Sequence, residues 1–148
     1  MAEPSITGRL LILLGDGATP TEDFGHPCGA NARSVTLTNN LGEQIVLDCD
    51  DPLDQPAIIV RWPESQDTAV SITGTVAKES FATWRAWADN QTRKNIRIVL
   101  DEDAADGGGY WLLPAYLATL ELGAEGKGTA TFTATITAAG KRVWTAAT

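Results

Sequence analysis

Thr129-Ala130-Thr131-Phe132-Thr133-Ala134-Thr135-Ile136-Thr137 is the most ordered stretch of the chain, with a hydroxyl at every second position for nine residues. Side chains of a β-strand point alternately to opposite faces. Five threonines therefore share one face, while Ala130, Phe132, Ala134 and Ile136 share the other. The apolar face packs on a core. The opposite face is an uncharged row of hydroxyls, open to three interpretations. It can be the exposed side of an antiparallel sheet, where threonine is a good β-former. It can be an ice-binding array, although this needs several stacked copies of the motif. It can also be the wall of a water-filled channel, where hydroxyls give a passing polymer no strong foothold.

The same alternation recurs in Thr68–Val76, with Val70, Ile72 and Val76 on one face and Ser71, Thr73 and Thr75 on the other. Further strands are expected at Ile6–Leu14, Ser34–Thr38, Gln44–Asp48, Ala57–Trp62 and Asn95–Leu100. Asn39–Glu43 reads as the connector of a hairpin between Ser34–Thr38 and Gln44–Asp48. Pro56 and Pro63 bracket Ala57–Trp62 and mark it as an edge strand or extended loop. Tyr110–Leu122 is a long strand that Pro114 should bend or restart, and Arg142–Trp144 adds a short tail piece. Ala77–Asn90 is the one convincing helix, because Ala77, Phe81, Trp84 and Ala88 recur at helical spacing, with Trp87 three after Trp84. Phe81, Trp84 and Trp87 are expected to cover the sheet. About eight strands and one helix, mostly joined by short turns, predict an antiparallel sandwich or barrel with a flanking helix.

The chain has 148 residues, 43% of them hydrophobic and 20% charged, with 11 basic and 19 acidic residues and a net charge of −8. A chain of this size buries roughly 68–70% of its unfolded surface, so one domain over residues 1–148 needs no staples. Within it, residues 18–30 read as a long loop or arm and residues 101–109 as an acidic loop. The negative balance argues against a groove that grips nucleic acid through its phosphates, yet it suits a surface past which a polyanion slides. No run approaches the roughly 18 apolar residues that span a bilayer. No basic leader precedes Leu10–Leu14, so folding in a cytoplasm is expected.

Catalytic chemistry finds little footing. The single histidine, His26, lies in a Gly- and Pro-rich loop, and no nucleophile elbow, phosphate loop or dinucleotide fingerprint occurs. His26, Cys28 and Cys49 lack the close spacing of a zinc site, leaving reduced thiols, a disulfide and a metal as open alternatives. Asp101, Glu102, Asp103 and Asp106 do not follow the calcium-loop pattern. No enzyme activity, cofactor or metal is expected.

Three ordered stretches carry a resemblance: Cys28-Gly29 through Ser34–Thr38 to Val46–Pro52; Ser71–Val76 running straight into Ala77–Asn90; and Tyr116–Leu122 followed by Gly128–Thr137 and Ala139-Gly140. In this order they resemble the tail tube (major tail) proteins of long-tailed bacteriophages and gene-transfer-agent particles. The resemblance implies a structural virion protein, made in the host cytoplasm, whose six-membered rings stack into a hollow tube. It implies that inner strands fuse into one ring-wide barrel, so that exposed strand edges serve assembly. Ser71, Thr73, Thr75, Thr119, Glu121, Thr129, Thr131, Thr133 and Thr135 would line the bore. Six copies would bring about −48 charges per ring, letting DNA pass without specific binding. Thr21, Glu22, Asp23 and Phe24, with Asp101, Glu102, Asp103 and Asp106, would meet neighbouring subunits and rings. Expected partners are further copies of the chain, a tape measure protein, a tail terminator and distal tail or baseplate proteins, with no membrane. The alternatives are a related secretion tube, another virion component such as a head-decoration protein, or a small β-sandwich binding module.

Overall fold

A computed structural model describes residues 10–17, 21–27 and 29–147. The chain order is β1 (Leu10–Gly15), β2 (Phe24–Gly25), β3 (Ala30–Val46), β4 (Ile58–Thr75), α1 (Lys78–Asn90), β5 (Lys94–Leu100), a 3-10 turn at Ala104–Asp106, β6 (Gly109–Gly123), β7 (Thr131–Ala138) and β8 (Val143–Ala146). The protein is mainly β with a single α-helix among the described residues. The strands form one sheet in the order β2-β1-β5-β6-β7-β4-β3, with β8 pairing β6. The registered pairs are antiparallel. The expected strand residues before Leu10, together with Cys28 and Thr148, lie outside the described residues.

The chain divides into two units, residues 1–36 with 68–148, and residues 37–67. In the first, period-two alternation sends one face of each long strand inward. Ile12, Val70, Ile72, Ile96, Ile98, Leu113, Ala115, Phe132, Ala134 and Ile136 are all buried. Trp84 and Trp87 of α1 join that cluster. Their rings stand 6.1 Å apart, and the Trp84 ring is 5.6 Å from Phe132. The helix therefore lies over the inner faces of β6 and β7, where each tryptophan contributes about 3–5 kcal/mol. Phe81, expected beside them, is only half-buried. Gln91 closes the helix in a left-handed conformation, φ 53°, with its N–H on the Trp87 carbonyl.

The second unit, residues 37–67, is a two-stranded ribbon made of the distal parts of β3 and β4. Two expectations are corrected here. Asn39–Glu43 is not a turn, since β3 runs unbroken from Ala30 to Val46. Pro63 does not end a strand, since β4 runs from Ile58 to Thr75. The cross-strand partners explain the proline. Glu43 meets Arg61 at 2.9 Å, whereas Asn40 meets Ser65 and Asn39 meets Gln66. The change of parity places one extra residue near Pro63 and Glu64, and a bulge tolerates the missing N–H. Asn and Gly in a connector favour a turn locally, but ladder pairing with β4 outweighs them.

Pro114 likewise leaves β6 continuous. Pairing with β8 ends at Leu112 and pairing with β7 begins at Ala115. Pro114 thus falls in the gap between two partners on that edge, where no ladder bond is lost.

Candidate functional site

The threonine faces of two strands come together in register. Across β4 and β7, Ser71 pairs with Thr135, Thr73 with Thr133 and Thr75 with Thr131. Across β7 and β6, Thr135 pairs with Thr119, Thr133 with Glu121 and Thr131 with Gly123. Seven of the expected side chains therefore form a three-strand hydroxyl surface with one carboxylate, Glu121. Its reverse side carries Val70, Ile72, Phe132, Ala134 and Ile136 in the core. Thr129 lies just before β7 and is exposed.

One feature of this surface escaped the simple alternation. Leu117 and Leu120 both pack on the core although they are three residues apart. The ladder absorbs the odd spacing by a shift between Leu117 and Thr119, leaving Ala118 as an extra residue. The bulge turns Thr119 and Glu121 outward. The signal was present in the sequence: Leu117-x-x-Leu120-x-Leu122 breaks phase where a regular strand could not.

Gly74 lies on the core face of β4, against the backbone of Gly29 and Asn31, and a Cβ there would collide with the Gly29 carbonyl. The Thr75 N–H donates to that same carbonyl at 3.0 Å, and Asn31 Nδ2 reaches Thr75 Oγ1 at 3.4 Å. Gly29 adopts φ 84°, which favours glycine. Gly29 and Asn31 thus clamp the end of the hydroxyl strand.

The expected contact residues divide differently. Thr21 and Asp23 are exposed. Glu22 is engaged within its own chain: its carboxylate accepts from Gly17 N–H at 2.8 Å and from Asn95 Nδ2 at 2.9 Å. Phe24 stacks on the Arg97 guanidinium at 4.0 Å, and Tyr110 flanks the same group at 4.6 Å. Asp103 caps the 3-10 turn through its carbonyl, which accepts from Asp106 and Gly108 N–H, and Asp101, Asp103 and Asp106 are exposed while Glu102 is half-buried.

The ribbon of residues 37–67 was missed as a surface. Leu41, Ile45, Leu53, Ile58, Val60 and Trp62 are all exposed, Ile45 by 67% and Leu53 by 93%. Leu41 and Ile45 share one face of β3, whereas Ile58, Val60 and Trp62 share one face of β4, and Gly42 lies against the Trp62 ring. Parity sets those two groups on opposite sides of the ribbon, so both sides are apolar. At its tip, Asp48 Oδ1 accepts the N–H groups of Asp50 and Asp51 at 2.8 and 2.9 Å. The Asp51 N–H, then that of Asp50, holds the Asp48 carboxyl below the usual aspartate range. Cys49 beside it is a free, exposed thiol. Among the described residues no three metal-binding side chains converge, and no helix is long and apolar enough to cross a membrane.

The arrangement of strands and helix is that of solved tail and baseplate structures. The tail of an empty gene transfer agent (GTA) particle with C6 symmetry superposes with a TM-score of 0.76 at 14% identity, covering 97% of this chain and 100% of that chain. The SPP1 tail tube gives 0.66 at 12% identity, over 97% and 80% of the two chains. The six-fold symmetrised baseplate of the anti-feeding prophage gives 0.57 at 12% identity, over 99% and 98%. At such identities the likeness is one of fold. No curated protein matches in sequence. The profile of the family described as phage tail tube protein matches residues 6–143, and the chain belongs to that family. Its role is structural, in the tail of a virion or virus-like particle.

Proposed function

We propose that the protein assembles into six-membered rings, that the rings stack into a tube, and that the three-strand hydroxyl surface lines the bore through which DNA travels. The observation that carries this reading is the registered surface of Ser71, Thr73, Thr75, Thr119, Glu121, Thr131, Thr133 and Thr135, backed directly by the core. A surface of short hydroxyls with one acid per copy offers phosphates no cation to pair with, so DNA slides rather than sticks. The net charge of −8 per chain adds to the repulsion. No catalytic step is needed for this work. The six-fold symmetry of the GTA tail supports the ring size. The long β3 edge and the two-sided apolar ribbon support assembly, because an isolated two-stranded ribbon is marginal in water and an open edge invites pairing. A tape measure protein, a tail terminator and distal tail or baseplate proteins would complete the tail. Thr21, Asp23, Asp101, Asp103 and Asp106 remain our candidates for contacts with neighbours.

Electron microscopy of the purified chain at rising concentration provides the test. Hollow tubes of uniform bore with six subunits per ring are expected. A species that stays monomeric at every concentration would refute the proposal.

A further inference from the structure

Leu10-Leu11-Ile12-Leu13-Leu14 of β1 is a run of aliphatic residues with no charge and no proline. On an open sheet edge such a run is a template for pairing with other chains. β1 pairs with β5 over the whole run, but its second edge meets a strand only at Leu14 and Gly15, through the two-residue β2. β3, at the far end of the sheet order, carries Arg33, Asn39, Asn40 and Glu43 instead. Side chains cover much of the remaining β1 edge. At one end Arg33 reaches across from β3, its Nε donating to the Leu10 carbonyl at 2.6 Å and its Nη1 to the Ala30 carbonyl at 3.1 Å. At the other end residues 22–25 fold over the strand. The Asp23 carbonyl accepts from Asp16 N–H at 3.0 Å, and the Glu22 carboxylate accepts from Gly17 N–H and Asn95 Nδ2. That carboxylate occupies the space where a side chain at Gly15 would stand. Phe24 is pinned from the sheet, because the Arg97 guanidinium of β5 lies between its ring and that of Tyr110. Arg97 Nε is buried and makes no hydrogen bond among the described residues. The guanidinium is committed to the two rings, and desolvation strengthens that attraction.

We propose that Arg33 and residues 22–25 form a guard on the open edge of β1, which keeps the Leu10–Leu14 run from pairing with strands of other copies. Very short edge strands and charged side chains laid over an edge are ways in which sheets avoid unwanted pairing. The guard is a property of the single chain and goes beyond the tube-building function: it decides which edge is withheld from assembly. Each part has a residue that supplies it. Gly15 leaves room for Glu22, Phe24 gives Arg97 a ring to hold, and Arg33 closes the Leu10 end.

Releasing the guard tests this. Phe24→Ala with Glu22→Ala removes both side-chain fastenings of residues 22–25. Hydrogen exchange at the Asp16 and Gly17 amides should quicken roughly tenfold, whereas the core strands at the buried Ile98 and Leu113 stay protected. The released chain should form sedimenting aggregates that bind thioflavin T, and Arg33→Ala should do so independently. Leu11→Lys places a charge on a half-buried position of the same strand and should return the released chain to solution. A released chain as soluble as the wild type overturns the inference. Aggregation that Leu11→Lys leaves undiminished also overturns it, because the pairing edge is then not β1. None of these readouts needs a tube, so failure of the guard and failure of the tube-building function are told apart.

Discussion

Gly74 shows how one absent side chain holds the hydroxyl strand in place. Its core-facing side is filled by the backbone of Gly29, so Gly74→Ala must push one backbone off another. A loss of about 1–3 kcal/mol is expected in denaturant titration, with β4 loosened near Thr75. The mutation series has a natural control in Gly25, where nothing stands near the missing side chain. Trp84→Ala removes a fully buried ring and should cost about 3–5 kcal/mol. Asp48 governs the ribbon tip through charge. Its carboxyl is held below the ordinary value of 3.8 by the Asp51 and Asp50 amides. The depressed value means that its contribution is complete above the unfolded value and disappears as pH falls through the folded one. Slow hydrogen exchange at the Asp50 and Asp51 amides should therefore persist through pH 4 and be lost only at more acidic pH.

Element by element, alternation was legible wherever a strand has one buried face. Thr68–Val76 and Thr129–Thr137 showed which side chains share a side, and the helix was visible from its tryptophan spacing. The ribbon was not legible as a continuous element. Asn, Gly and Pro are local turn and breaker signals, and only the partner strand decides whether a ladder carries on through them. The bulge at Ala118 offers a sharp test of register. Deleting Ala118 should leave Leu117 and Leu120 inward and Thr119 outward, so the protein should still fold. Deleting Ala134 from β7 should turn every later side chain to the wrong face, with a loss of about 4 kcal/mol or more in the same titration.

For the whole molecule, the consequence of the hydroxyl surface lies in the assembled particle. Thr131→Lys with Thr133→Lys should leave thermal unfolding nearly unchanged, because neither side chain is in the core. Six copies of two lysines should nevertheless slow DNA delivery, measured as infectivity or transfer per particle. Undiminished delivery would show that these side chains do not face the bore. The sequence by itself determined the β class, the helix and the identity of most hydroxyls, because these follow from composition and from period-two and helical spacing within single segments. Tertiary structure alone decided that three strands bring those hydroxyls into one registered surface and that residues 37–67 form a ribbon apolar on both sides. Each depends on which segment lies beside which, and a hydrogen-bonded neighbour distant in sequence leaves no mark in local periodicity.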